Sequence, residues 1–235
     1  MHEIVNGLMK IDPARRPRLG IVPIGSGNDF AHAVGVPVNP QEAMKRVFTG
    51  QPRLIDVARL RDGAGRTEYF DNTLGIGFDA AVNIRTRRMQ RLNGFTMYLS
   101  ATLLTIARNF DAPRMKIVHD GGEIEQPVLM LTVGNGPREG GGFVTTPAAR
   151  LDDGVLDFVY VDHISQFRML QLLPKFMNAT HVRERDVKIG RTTRLTLDAD
   201  RALPIHADGE LFAPYEADVR HVEITLVPGA VNVIV

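Results

Sequence analysis

Residues 19–35 read Leu-Gly-Ile-Val-Pro-Ile-Gly-Ser-Gly-Asn-Asp-Phe-Ala-His-Ala-Val-Gly. A short apolar run ends at Pro23, a glycine-containing turn follows, and an amphipathic pattern resumes after Asn28 and Asp29. This order predicts a strand, a tight turn and a helix. We expect Gly25 and Gly27 to supply the positive φ angles that such a turn requires.

A turn of this kind suits a phosphate group, because the amino end of the following helix carries partial positive charge and unpaired N–H donors. Ser26 adds a hydroxyl donor, and Asp29 either caps the helix or holds a metal-bound phosphate. An ordinary turn with a capping aspartate explains these residues equally well. The dinucleotide fingerprint is excluded because Phe30 replaces its third glycine, and the Walker pattern is excluded because Gly-Lys-Ser/Thr is absent.

Composition narrows the class of protein. The 235 residues are 44% hydrophobic, with 28 basic against 27 acidic residues and no cysteine. A net charge of +1 argues against nucleic acid as a partner, and the missing cysteines remove disulfides, thiolate nucleophiles and Cys-based zinc sites. We expect a cytoplasmic protein. The uncharged run near residues 92–107 is too short to span a membrane, and we interpret it as a buried helix.

Hydrophobic periodicity divides the chain into a helical amino-terminal part and a strand-rich remainder. Helices are predicted around residues 4–9 and from Pro40 to Gly50. From Arg53 onward the pattern predicts short antiparallel strands at residues 53–60, 68–74, 114–119, 125–134, 155–162, 194–197, 203–207 and 219–227. Two helical tracts interrupt these strands, at residues 79–110 with a break at Asn93-Gly94, and at residues 165–177.

Several segments resemble the diacylglycerol kinase catalytic family, which includes bacterial lipid kinases and sphingosine kinases. Residues 23–31 resemble the family segment P-x-G-[ST]-x-N-D-[FL]-A, and residues 72–80 resemble N-x-x-G-x-G-[FL]-D-A. Residues 140–142 with 147–157 resemble its glycine-rich, acidic loop. Residues 2–8 are similar to the segment that follows a Gly-Gly-Asp-Gly-Thr nucleotide loop in this family. That loop is missing from the sequence, so we expect an amino-terminally truncated chain.

The resemblance implies an α/β plus all-β fold, with a partial nucleotide-binding α/β domain at residues 1–52 and a larger antiparallel β-sandwich domain with inserted helices at 53–235. It implies an ATP-dependent lipid kinase, most readily one that converts diacylglycerol to phosphatidic acid, with ATP and Mg²⁺ as cofactors. The nucleotide contacts carried over are Glu3, Gly25, Ser26, Gly27 and Asn28, with Asp29 orienting the nucleotide and metal.

Three carboxylates lie close to Gly154 in the sequence, those of Asp152, Asp153 and Asp157. Oxygen ligands at this spacing suit Mg²⁺ or Ca²⁺, although a solvated Asp-Gly turn is the simpler interpretation of the residues alone. The resemblance implies a structural Mg²⁺ held by the Asp153 side chain and by the carbonyls of Arg150 and Val155.

Asp208-Gly209-Glu210 lies between two extended segments and predicts a hairpin. From the residues alone, Glu210 needs no role beyond an exposed position in that turn. The resemblance implies that Glu210 is the general base that accepts the proton of the attacking lipid hydroxyl.

Arg85, Arg87, Arg88 and Arg91 cluster in one helical segment, where they either contact anionic headgroups or form a solvated face. The expected partner is a lipid presented at a membrane surface, with peripheral membrane contact and no nucleic acid; a homodimer is compatible with the sequence. Two alternatives stay open: a catalytically inactive lipid-binding or regulatory homologue, and an NAD kinase-like enzyme.

Overall fold

A computed structural model describes residues 1–25, 27–89, 94–108 and 110–235. The helices, in chain order, are α1 (His2–Leu8), α2 (Asp29–Val34), α3 (Pro40–Thr49), α4 (Phe78–Thr86), α5 (Gly94–Arg108) and α6 (Gln166–Met177). The strands are β1 (Pro52–Asp62), β2 (Thr67–Phe70), β3 (Thr73–Gly77), β4 (Arg114–His119), β5 (Gly122–Gly134), β6 (Leu156–Asp162), β7 (Val187–Thr192), β8 (Arg194–Ala199), β9 (Ile205–Ala207), β10 (Glu210–Ala213) and β11 (His221–Ile234).

The strands form two antiparallel sheets that share β5. One sheet runs β2-β1-β11-β8-β4-β5, and the other runs β10-β9-β3-β5-β6-β7. The first half of β5 pairs with β4, and its second half pairs with β3 and β6. This arrangement confirms the predicted fold class, in which a few helices accompany a large antiparallel sheet.

Three hydrophobic cores hold these layers together. The first lies between the sheets and includes Leu60, Ile117 and Phe158. The second packs α1, α2 and α3 against the ends of β1 and β11, and the third packs α4, α5 and α6 on the outer face of the second sheet. Burial of these apolar side chains supplies most of the favourable free energy of folding.

The helix α3 forms where its capping residue predicts. Asn39 caps α3 by accepting hydrogen bonds from the amides of Gln41 and Glu42, and Pro40 occupies the first helical turn. The helix ends at Thr49, before Gly50. The proposed division of the chain at residue 52 stays a prediction.

The prediction of a strand before the glycine turn is wrong. Leu19 forms a single parallel bridge with Val233, and residues 20–24 have no regular secondary structure. Isolated pairing of this kind does not make a strand.

Two further predictions need correction. β7 and β10 were not predicted from the sequence. β7 has exposed charged residues at positions where an apolar face is expected. β10 directly follows the Asp-Gly turn. The run near residues 92–107 was interpreted as a buried helix, but α5 buries only one face. Leu103 and Leu104 on another face are exposed. The break at Asn93-Gly94 falls partly outside the described residues, and α5 begins at Gly94.

Candidate functional site

A cavity of about 920 Å³ lies where the glycine turn, the start of α1 and the β9–β10 hairpin meet. Gly25, Gly27, Asn28 and Asp29 line it on one side. The hairpin contributes Glu210 to the same cavity, although it lies far along the chain. The two segments singled out from the sequence therefore face one space.

The glycine turn is closed by the Asn28 side chain. Its Oδ1 accepts a hydrogen bond from the Gly25 amide at 3.0 Å, and its Nδ2 donates to the Gly25 carbonyl at 2.8 Å. The left-handed residue is Asn28, with φ of 55°, whereas neither Gly25 nor Gly27 has positive φ. The expected role of these glycines is corrected accordingly.

The glycines instead make room for the side chains that follow them. A Cβ on Gly25 would lie 3.1 Å from Asn28 Oδ1, and a Cβ on Gly27 would lie 3.2 Å from Asp29 Oδ2. Both contacts are tighter than ordinary packing. Ser26, a predicted nucleotide contact, lies outside the described residues.

The carboxylate of Asp29 is held by groups from another part of the chain. It accepts hydrogen bonds from Arg138 Nε at 2.8 Å and from the Gly141 amide at 3.0 Å. Asn28, not Asp29, occupies the capping position of α2, and its side chain makes no capping hydrogen bond. Asp29 is thus fixed in place against the glycine-rich loop after β5.

Asp208 anchors the hairpin that carries Glu210. Its buried carboxylate accepts hydrogen bonds from three successive backbone amides, those of Asp71 at 3.1 Å, Asn72 at 2.9 Å and Thr73 at 3.1 Å. These three hydrogen bonds to one carboxylate hold the hairpin against the start of β3. The predicted hairpin is confirmed, with Asp208 and Gly209 both at positive φ.

Glu210 stands at the start of β10, with its side chain 58% exposed. It pairs with Arg87, whose Nη2 lies 2.6 Å from Glu210 Oε2. The Gly209 carbonyl accepts a hydrogen bond from Asn83 Nδ2 at 2.7 Å. The arginine cluster at the end of α4 therefore contacts the hairpin through Arg87, while Arg85 contacts Thr105 and Arg91 lies outside the described residues.

Three buried titratable side chains lie beneath the cavity: Asp79, Glu139 and His206. Burial and the neighbouring Asp79 carboxylate raise the pKa of Glu139 well above its usual value. Burial alone would raise the pKa of Asp79, but the His206 ring and hydrogen bonds from Glu139 and Tyr98 outweigh it and lower that pKa.

A second buried group surrounds the first residues of α1. His2 Nδ1 lies 3.2 Å from Asp208 Oδ2, and its Nε2 lies 3.1 Å from Glu68 Oε2. Burial lowers the pKa of His2, but hydrogen bonds to Asp208 and Glu68 outweigh it and raise the pKa to about 10. Burial and the Asp208 charge raise the pKa of Asp71 well above its usual value.

The acidic loop does not line the cavity among the described residues. The Asp153 carboxylate pairs with Arg191, and Arg191 Nε lies 3.5 Å from Asp157 Oδ2. Asp157 Oδ2 is buried without a hydrogen-bond partner, and burial raises the pKa of this carboxyl. The Asp153 and Asp157 carboxylates thus share Arg191 as their cation, and Asp56 fixes the loop by accepting a hydrogen bond from the Gly154 amide at 2.9 Å.

Glu3 is exposed on α1 and does not line the cavity, although its neighbours His2 and Ile4 do. Sequence reasoning quoted Asp79 and Asp208 only as parts of motifs, and it missed Glu139 and His206. His206 lies two residues before Asp208 in a strand, and Glu139 lies just before the glycine-rich loop. Neither has a local signal, because their proximity arises from the pairing of β3 with β5 and β9.

A small cavity of about 30 Å³, lined mostly by apolar side chains of α4, α5 and α6, lies next to this group. Tyr98 and Glu139 line both cavities, so they separate the polar space from the apolar one. Among the described helices, none is long and apolar enough to cross a membrane.

The antiparallel sandwich and its cavity define the class of protein. Residues 72–235 match the family described as the YegS C-terminal NAD kinase beta sandwich-like domain, and residues 1–60 match the diacylglycerol kinase catalytic domain. The chain belongs to the diacylglycerol kinase catalytic family.

Individual relatives agree with this assignment. The chain is 34% identical to the "Probable lipid kinase YegS-like" of Chromohalobacter salexigens, covering 89% of this chain and 66% of that protein. It is 31% identical to a diacylglycerol kinase of Mycobacterium tuberculosis, covering 92% and 68%. A crystal structure of a candidate diacylglycerol kinase from Bacillus anthracis superposes with a TM-score of 0.74 at 26% identity, covering 99% and 72%. The chain thus spans about two thirds of the length of its curated relatives.

Proposed function

We propose that this chain carries the acceptor site of an ATP-dependent lipid kinase, which transfers the γ-phosphate of ATP to a lipid hydroxyl. Diacylglycerol is the proposed acceptor, since a relative 31% identical to this chain is named a diacylglycerol kinase. The observation that carries the proposal is that the Gly25–Asp29 turn and Glu210 line one cavity of about 920 Å³.

In this proposal Glu210 is the general base. A lipid hydroxyl loses its proton as it attacks phosphorus, and a carboxylate within hydrogen-bond distance accepts that proton. Glu210 is exposed to the cavity, and Arg87 fixes its orientation in the absence of substrate. Asp29, fixed by Arg138 and Gly141, orients the polar end of the nucleotide from the opposite wall.

Apolar side chains of α5 and α6 next to the polar cavity support a lipid acceptor. Tyr98 and Glu139 stand between these side chains and the polar cavity. A hydroxylated lipid requires such a junction, because its chains need an apolar surface while its hydroxyl must reach a base. Exposed apolar residues on the same helices, such as Leu103 and Phe167, suit peripheral contact with a membrane that presents the lipid.

Mg²⁺ is the proposed second cofactor, at the acidic loop. The oxygen donors of Asp153, Arg150 and Val155 suit a hard cation, which supplies charge neutralisation and fixes the loop when bound. Arg191 provides the positive charge for the Asp153 and Asp157 carboxylates in this structure.

Phosphate transfer from radiolabelled ATP to diacylglycerol in mixed micelles tests the proposal, with phosphatidylglycerol and sphingosine as competing acceptors. The product of the full gene is the enzyme to assay, because the chain spans about two thirds of its relatives. Glu210→Gln is expected to lower kcat on the order of 10²–10⁴-fold, the usual contribution of a general base. The matched control is Glu216→Gln, the same change at an exposed position six residues farther along the chain, which should leave kcat unchanged. Unchanged turnover in Glu210→Gln would refute the assignment of the base.

A further inference from the structure

The buried group beneath the cavity has the composition of a metal site. Asp79 from α4, Glu139 from the loop after β5 and His206 from β9 each offer one ligand atom, and these atoms all lie within 4.8 Å of one another. None of the three side chains is a nucleotide contact, the general base or part of the acidic loop in the function proposed above.

The two distances from His206 Nε2 to the carboxylates suit an ion better than direct hydrogen bonds. His206 Nε2 lies 3.5 Å from Asp79 Oδ2 and 3.8 Å from Glu139 Oε2. A four-coordinate Zn²⁺, with bonds to nitrogen and oxygen near 2.1 Å, separates its ligand atoms by roughly 3.4 Å. Strong N–H···O hydrogen bonds are shorter, at about 2.9 Å.

The His206 ring gives an independent indication that an ion binds between these three side chains. Its ring is 3% exposed, and Nε2 is buried without a hydrogen-bond partner while it faces the two carboxylates. Burying such a polar atom without a partner is costly. An ion between the three ligand atoms would satisfy it.

Gly75 keeps the space beside these atoms open. A Cβ at this position would lie 2.2 Å from His206 Nε2 and 2.3 Å from Asp79 Oδ2. Gly75 has no positive φ that would otherwise require glycine. The absence of a side chain in the middle of β3 is therefore explained by the group it adjoins.

The surrounding hydrogen bonds orient the ligands. Tyr98 donates to Asp79 Oδ1 at 2.8 Å, Thr132 donates to Asp79 Oδ2 at 3.1 Å, and Thr73 donates to Glu139 Oε2 at 3.2 Å. Such outer contacts fix the carboxylates of metal sites. Glu139 and His206 line the large cavity, which gives an ion a path from solvent.

We propose that Asp79, Glu139 and His206 bind a divalent transition-metal ion of the Zn²⁺ class. One imidazole with two carboxylates matches the mixed nitrogen and oxygen preference of Zn²⁺, whereas Mg²⁺ prefers oxygen ligands alone. The ion also neutralises two carboxylates that are buried side by side.

Binding has a structural consequence at the hairpin. His206 Nδ1 lies 3.4 Å from the Gly209 amide nitrogen, which acts as a donor in the metal-free protein. A ring that binds metal through Nε2 carries its proton on Nδ1, so two donors would then face each other. The Gly209 amide must turn away, and Gly209 is the neighbour of Glu210.

Titration calorimetry of the chelator-treated full chain with Zn²⁺ tests the proposal. We expect one Zn²⁺ per chain, at least tenfold weaker binding by His206→Gln and by Glu139→Gln, and loss of binding in Gly75→Ala. His221→Gln removes an exposed histidine that pairs with Asp198, and it should bind Zn²⁺ as the unmodified chain does. Circular dichroism verifies that each variant is folded.

Two readouts need no substitution. Co²⁺ in place of Zn²⁺ should give the visible absorption of a four-coordinate nitrogen and oxygen site, and Zn²⁺ should shift the amide resonance of Gly209. Absence of stoichiometric binding, or equal binding by His206→Gln and the unmodified chain, would overturn the proposal. Binding that His221→Gln abolishes would place the ion on the surface and overturn it as well.

Discussion

Arg87 Nη2 donates a hydrogen bond to Glu210 Oε2 at 2.6 Å, which joins the end of α4 to the first residue of β10. Both side chains are about half exposed, at 45% and 58%. A pair this exposed contributes less than about 1 kcal/mol to stability, because solvent screens the charges. Its importance lies in where it holds the Glu210 carboxylate.

Arg87→Gln is therefore predicted to lower kcat for lipid phosphorylation several-fold while the free energy of unfolding changes by less than about 1 kcal/mol. Arg88→Gln, the same change on the next residue, is the matched control and should leave both quantities unchanged. Steady-state kinetics and urea denaturation of the two variants check this. Equal kinetics for both variants would mean that Arg87 does not orient Glu210.

Asp208→Asn is predicted to reduce the free energy of unfolding by about 2–4 kcal/mol, because buried amides and His2 lose a charged acceptor. The Asp208 side chain is 6% exposed and accepts three backbone N–H bonds, so solvent offers little replacement. Asp218→Asn is a suitable control, since Asp218 also has positive φ but an exposed side chain. Urea denaturation measures both, and similar losses in the two variants would contradict the anchoring role.

His2 gives a pH dependence with a defined sign. The pKa of His2 is raised from 6.5 to about 10, so its contribution to stability is full below pH 6.5 and is lost as pH rises to about 10. His2→Gln should therefore differ most from the unmodified chain at pH 6 and least near pH 10. Thermal unfolding across this range, with any purification tag at the carboxyl end, checks it. A stability difference that grows with pH would be the opposite of this prediction.

Mg²⁺ should stabilise the chain through the acidic loop. At tenfold excess over its Kd, an ion that binds only the folded state adds about 1.4 kcal/mol, which raises Tm by about 3–6 °C for a chain of this size. Asp153→Asn is predicted to abolish the rise, whereas Asp152→Asn, the adjacent acid that pairs with Arg53, should retain it. Scanning fluorimetry with and without Mg²⁺ makes the comparison. A rise that survives in Asp153→Asn would place the ion elsewhere.

The sequence predicted those features that depend on local chemistry. The Asn39-Pro40 start of α3 and the Asp208-Gly209 hairpin were found because capping and turn preferences act over a few residues. The extended run at Leu19 was misassigned because strand formation depends on a partner, which is here limited to Val233. Local pattern carries no information about that partner.

The candidate functional site shows the same division between local motifs, which the sequence predicts, and contacts that depend on strand pairing. Glu210 and Asp29 were identified through motifs, and the structure places both on one cavity, while their catalytic roles stay predictions. Glu139 and His206 could not be found, because only the register of β3 with its two neighbours brings them together with Asp79. The positive φ expected at Gly25 and Gly27 was wrong because the Asn28 side chain closes the turn itself.

The strand β11 takes part in two cores, with Val222 and Ile224 between the sheets and Val231 and Val233 against the amino-terminal helices. The helices α1, α2 and α3 therefore lack the apolar residues of β11 that they pack on until this strand has been translated. At about 5–20 residues per second, that interval lasts roughly 10–40 s. During that interval the apolar faces of these three helices lack the β11 residues that cover them in the folded protein.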